Sequence, residues 1–276
     1  MFREGLGAEK VFGTGDSGFR AEYNRADMTP EISQAPEAPP ERMSEISRLT
    51  GVFFEPSKTF EDVARRPTFL VPMVLVMICA LAVTVTFSQH VGWERFMRQQ
   101  FENSPRAAQL TPEQRESAIS MQMKIVPITS TVGVLVVIPL YYTVASAVFM
   151  AILAILSAKV KFKQIFSVMA YAGVIGVISS LLTIVVMFMK NPDQFNLQNA
   201  LAFNPGAFMD PQSGSKFVYS LASSLDLFSI WGIILIALGL KAAAGKSISF
   251  GGALATVVIP WAVYVLGKSA LAGVFS

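Results

Sequence analysis

Asp226 and Lys268 are the residues whose type and placement could do chemistry, because each is a charge inside an otherwise apolar run. An isolated Asp at the centre of a bilayer costs about 2.5–3.5 kcal/mol on insertion scales, so Asp226 wants a partner. Lys268 is the only base well inside another run. If the two runs form an antiparallel hairpin about Lys241 to Gly252, their depths mirror one another. Asp226 lies seven residues after Tyr219, and Lys268 seven before Phe275. The two are expected to face each other, as a structural ion pair or as part of a proton or ion path. The alternative is no contact, with Asp226 held by Ser223, Ser224 or the interface and Lys268 snorkelling outward.

Other candidates are weaker. His90 and Glu94 are four apart and could share a helix face, but two ligands without a third make a poor metal site. Cys79, the single cysteine, sits in an apolar run and reads as a small buried hydrophobe. Gly13-Thr14-Gly15-Asp16-Ser17-Gly18 matches a dinucleotide fingerprint, yet neither a strand precedes it nor an apolar helix follows. The sequence carries no P-loop, no His-Glu-x-x-His, no Gly-x-Ser-x-Gly and no paired carboxylates in its apolar runs. No catalytic residue, metal or cofactor is expected.

Composition says what kind of molecule must position these groups. The 276 residues are 53% hydrophobic and only 15% charged, whereas soluble domains carry about 25% charged residues. Sixteen of the 19 acidic residues precede Ser117, and none follows Asp226. A net charge of +3, scattered along the chain, excludes a clustered nucleic-acid face. The fold class expected is all-α, a polytopic transmembrane bundle of five spans with amphipathic helices before the first.

Residues 1–43 read as a disordered tail, rich in Gly, Glu and Pro. Residues 44–276 form the membrane domain. Ile46, Leu49 and Phe53 recur at helical spacing, Glu55-Pro56 breaks that helix, and Ser57 can cap a second one carrying Phe60, Val63 and Ala64. Two amphipathic helices in the membrane interface are expected, with a partner-docking surface as the sharper alternative. Five apolar runs follow, at about 68–88, 125–158, 165–189, 219–240 and 253–275. The second run is too long for one crossing and too short for two with a turn, so it reads as one tilted or kinked span with overhang. Pro127 and Pro139 are its kink positions. Thr111-Pro112-Glu113-Gln114, in the preceding loop, is a capping box. Arg48, Lys58, Arg65 and Arg66 before the first span, Lys159, Lys161 and Lys163 after the second, and Lys241 and Lys246 after the fourth put the N-terminus in the cytoplasm. Ala172, Gly176 and Ser180 repeat every four residues, a spacing that lets helix backbones approach closely.

Several segments together resemble bacterial members of the Yip-domain family, the Ypt/Rab-interacting-protein-like membrane proteins. They are Pro56, Ser57 and Phe60 before the first span, Ser224-Leu225-Asp226-Leu227-Phe228-Ser229-Ile230-Trp231 opening the fourth, Gly239-Leu240 closing it, and a last span containing Trp261. The resemblance covers about Ser44 to Phe275. It implies a five-span bundle in a bacterial cytoplasmic membrane with a cytoplasmic N-terminus. Eukaryotic relatives are associated with vesicle trafficking and small GTPases, but their Asp-Leu-Tyr-Gly-Pro signature is missing here, so GTPase binding does not carry over. The function expected is a non-enzymatic membrane adaptor or organiser; a small transporter or channel subunit using Asp226 and Lys268 is the alternative. The partners expected are the lipid bilayer and a membrane protein, or a second copy of the chain.

Overall fold

A computed structural model describes residues 42–102, 109–192, 195–196, 199–210 and 214–274. The expected tail, with its glycine motif, lies outside the described residues apart from Arg42 and Met43.

Among the described residues all regular structure is helical. Two short helices, α1 (Glu45–Phe54) and α2 (Pro56–Arg65), precede the first span. α3 (Leu70–Thr86) runs on through a π-helical turn, Phe87–Val91, to Gly92, whose φ of +85° suits glycine. After α4 (Trp93–Glu102) comes α5, a single helix from Pro112 to Ile155. α6 (Phe162–Ala172) and α7 (Ile175–Met189) share one span, and α8 (Lys216–Ser224) precedes α9 (Leu227–Ala244). α10 (Phe250–Val274) closes the fold. Among the described residues, five helical stretches are long and apolar enough to cross a membrane: Leu70–Val91, Pro112–Ile155, Phe162–Met189, Leu227–Ser247 and Phe250–Val274. The protein is an integral membrane protein.

Three boundaries differ from the sequence expectation. The Thr111 capping box does start a helix: its side chain accepts from Gln114 N, and Gln114 returns the bond. That helix does not stop in the loop but continues into the second span, so the helix begins at Pro112, before the apolar run that starts at residue 125. At 1.5 Å per residue its 44 residues extend about 66 Å. Pro127 and Pro139 lie inside it, and the hydroxyls of Thr131 and Thr143 donate to the carbonyls of those prolines four residues back. The third span is interrupted at Gly173–Val174, where the backbone tightens to i→i+3 bonds, Val174 N to Tyr171 O and Gly176 N to Gly173 O. The expected fourth span breaks at Leu225–Asp226.

The core sits between α5, α6, α9 and α10. Tyr142, Phe149 and Leu153 pack there on Ile165, Phe166, Met169 and Leu240. A second cluster carries Val52, Phe60 and Val63 from α1 and α2 against Val168, Tyr171 and Leu235. At the opposite end of the spans, Phe87 and Val91 close on Met187 and Phe195.

Candidate functional site

The most elaborate polar arrangement lies under the α1–α2 hairpin. α1 starts because the Ser44 hydroxyl accepts from Ser47 N at 3.1 Å. Glu45, Arg48 and Val52, at i, i+3 and i+7, then lie on one helix face, which turns toward the bundle. Arg48 is buried. Its Nε donates to Asp62 Oδ2 on α2 at 2.7 Å, and its Nη2 lies 2.6 Å from the same oxygen. Nη1 donates to Thr68 Oγ1, just before α3, at 2.7 Å. Thr68 in turn donates to Glu45 Oε1 at 3.0 Å, and the Tyr171 hydroxyl on α6 donates to Glu45 Oε2. Arg66 lies 3.3 Å from the remaining Asp62 oxygen, and the Arg48 guanidinium stands 5.9 Å from the Tyr171 ring centre. Burial works against the Arg48 charge, but bonds to Tyr171 and Asp62 outweigh it and hold the pKa above its ordinary value.

Chemically this is a clamp. Two cations face two carboxylates, and one set of bonds fastens α1, α2, the start of α3 and α6. Sequence reasoning missed it because Arg48 and Asp62 are fourteen residues apart on different helices. The only available signal was that Arg48 falls on the apolar face beside Leu49 and Val52.

The four residues expected to face the interface divide. Phe60 is fully buried, against Val168 and Gly239, and Leu49 and Phe53 pack partly onto the same cluster. Phe53 meets Trp231 edge to face at 6.2 Å. Only Ile46 projects outward, 75% exposed, joined by Phe54 at 84%. The hairpin is therefore docked on the bundle through most of the face that the sequence had assigned to lipid.

Asp226 is placed differently from the expectation. It is the N-cap of α9, with Oδ1 accepting from Phe228 N at 2.9 Å and Ser229 N at 3.1 Å. Lys268 is exposed on α10. Among the described residues no ion pair joins them. On this side α10 meets α8 instead: Ser269 Oγ donates to Ser220 Oγ at 3.2 Å, and Gly273 lies against Phe217. A capping carboxylate needs no cationic partner, because two amide donors already satisfy it. Asp226→Ala should cost about 1 kcal/mol as a lost cap, Lys268→Met should be silent, and a double-mutant cycle in thermal unfolding should show no coupling.

The Ala172–Gly176–Ser180 stripe is cut by the turn at Gly173–Val174. Ala172 is buried, but open space surrounds Gly176. The close approaches fall at other glycines. A Cβ at Gly173 would collide with the Tyr142 hydroxyl, and one at Gly239 with Val168 and with Phe60, 2.9 Å away.

His90 stacks on Phe188 at 4.8 Å, while Glu94 pairs with Arg98. Among the described residues no group of three His, Cys, Asp or Glu is arranged to hold a metal. Arg98 forks to Glu116 through two bonds of 2.9 Å and so ties α4 to α5. The Arg98 hydrogen bond lowers the Glu116 pKa. The tie is therefore at full strength at neutral pH and is lost as pH falls through that lowered pKa. Protection of the α4 amides, measured against their intrinsic exchange rate at each pH, should fall on acidification, and Glu116→Gln should reproduce the effect at neutral pH.

A five-span helical bundle with a short helical hairpin clamped across one end defines a class of polytopic membrane protein. The family model for the Yip1 domain matches residues 50–271, from within α1 to near the end of α10. The chain belongs to that family. No curated protein and no solved structure matches it.

Proposed function

We propose that this protein is a non-enzymatic adaptor or organiser of a bacterial cytoplasmic membrane, with its N-terminus in the cytoplasm, acting through the α1–α2 hairpin. One observation carries the reading. The Arg48 clamp fixes the hairpin on the bundle while Ile46 and Phe54 project from it as large apolar side chains. Apolar groups held outward on a rigid base suit recognition of a membrane-associated partner. The basic residues on the connections at the hairpin end support the cytoplasmic placement of that end.

Photo-crosslinking side chains at positions 46 and 54 of a tagged copy at native level test it. A reproducible, near-stoichiometric partner, lost when Arg48 is replaced by Ala, is the expected result. Capture of lipid alone from both positions would refute the adaptor reading.

The transport alternative keeps one observation in its favour, the break in the fourth span at Leu225–Asp226, since interrupted helices often line substrate paths. Against it, the Asp226 carboxylate is already committed to Phe228 N and Ser229 N. Solute or ion flux in liposomes, compared between the parent and Asp226→Asn, separates the two readings; the adaptor predicts no difference.

A further inference from the structure

A groove of about 660 Å³ opens between α2, the start of α6 and the end of α9, lined by Ser57, Glu61, Arg65, Gln164, Lys241 and Gly245 among others. We propose that it binds the phosphate of an acidic phospholipid headgroup.

Position is the first reason. The start of α6 and the end of α9 are span ends, so the groove lies where spans meet the membrane face, at headgroup level. The second reason is the donors that it offers. Lys241 gives one bond to Gly245 O, which leaves two of the three ammonium hydrogens for a ligand. Among the described residues Arg65 is held only by Glu61, at 3.5 Å and with both side chains more than half exposed. That pair is loose, and Glu61 is a carboxylate that a phosphate can displace from the guanidinium. Ser57 adds a hydroxyl on the same rim.

The third reason is the surrounding charge. Gln164 directly follows Lys163 and lies three residues after Lys161, and Gly245 directly precedes Lys246. These three lysines are exposed, and among the described residues no acid is paired with them: Glu55 is bonded to Lys58, Glu61 to Arg65, and Asp62 to Arg48 and Arg66. A collar of exposed lysines at a membrane face draws acidic lipid. The groove adds a place for one headgroup to stay. Glu61 opposes the anion, and this gives the proposal a sign of its own.

The test uses the full chain in neutral detergent, with native mass spectrometry of short-chain phosphatidylglycerol, phosphatidylcholine and inorganic phosphate at equal concentration. Retention of phosphatidylglycerol over phosphatidylcholine is expected. Arg65→Gln with Lys241→Gln should abolish that preference, Glu61→Gln should raise it, and Lys268→Gln, an exposed lysine on a different helix, should leave it unchanged. Unfolding temperature of each variant without lipid separates lost binding from lost fold. Equal retention of the two lipids, an unchanged preference in the double variant, or equal occupancy by free phosphate overturns the proposal. None of these outcomes bears on partner capture at Ile46 and Phe54, so the adaptor reading stands or falls separately.

Discussion

Arg48→Met should destabilise the protein by about 3–5 kcal/mol, the usual cost of removing one partner from a buried ion pair. The reason is what stays behind. Asp62 is buried and keeps only the more exposed Arg66, and Glu45 keeps only the hydroxyls of Thr68 and Tyr171. Adding Asp62→Leu should recover much of the loss, because an apolar pair of similar volume carries no desolvation cost. The readout is thermal unfolding in detergent, with amide exchange in α1 and α2 to locate the damage. A single variant within about 1 kcal/mol of the parent, the typical worth of a surface pair, would show that the clamp is not buried in solution.

Gly239→Ala should be the second large effect, about 1–3 kcal/mol, the range for overpacking a filled core. The added methyl meets Val168 on α6 and Phe60 on α2, both fully buried, so relief requires moving a helix. Gly176→Ala is the matched control. The same methyl there meets open space, and removing a helical glycine is neutral or mildly favourable. If both substitutions cost the same, α2 does not pack on α9 as described. The contrast separates a glycine required by close approach from one that merely falls in a four-residue repeat.

These two cases also show what was legible in the sequence. The first and last spans were, because a long apolar run with at most one charge has one outcome in a membrane. The existence of α1 and α2 was legible from Ile46, Leu49 and Phe53 and from the Pro56 break. Their destination was not. Amphipathicity says that a face is covered but not by what, and Phe60 is covered by Val168 and Gly239, which lie more than a hundred residues away in sequence. The start of α5 was obscured because hydropathy follows solvent and not the helix, which continues unbroken from the polar Glu113–Lys124 stretch into the span. The break at Asp226 was obscured by the opposite error. An unbroken apolar run from Tyr219 to Leu240 suggested one helix, although Asp before Leu227 is a capping signal in its own right. The expected Asp226–Lys268 pair followed from that continuous helix and failed with it. The lipid groove had no sequence signal beyond its lysines, since its walls come from three separated segments.

The hairpin's position has a consequence for biosynthesis. α1 and α2 leave the ribosome before the five spans described above, yet Glu45 bonds to Tyr171, 126 residues later, and Phe60 packs on Gly239, later still. Chains are made at about 5–20 residues per second, so many seconds separate synthesis of the hairpin from synthesis of its last docking surface. During that interval Arg48, Asp62 and Glu45 are hydrated, and the apolar side of Val52, Phe60 and Val63 has nothing to cover it. A segment made before these five spans thus completes its packing late, since docking can be finished only once the third and fourth spans have been inserted.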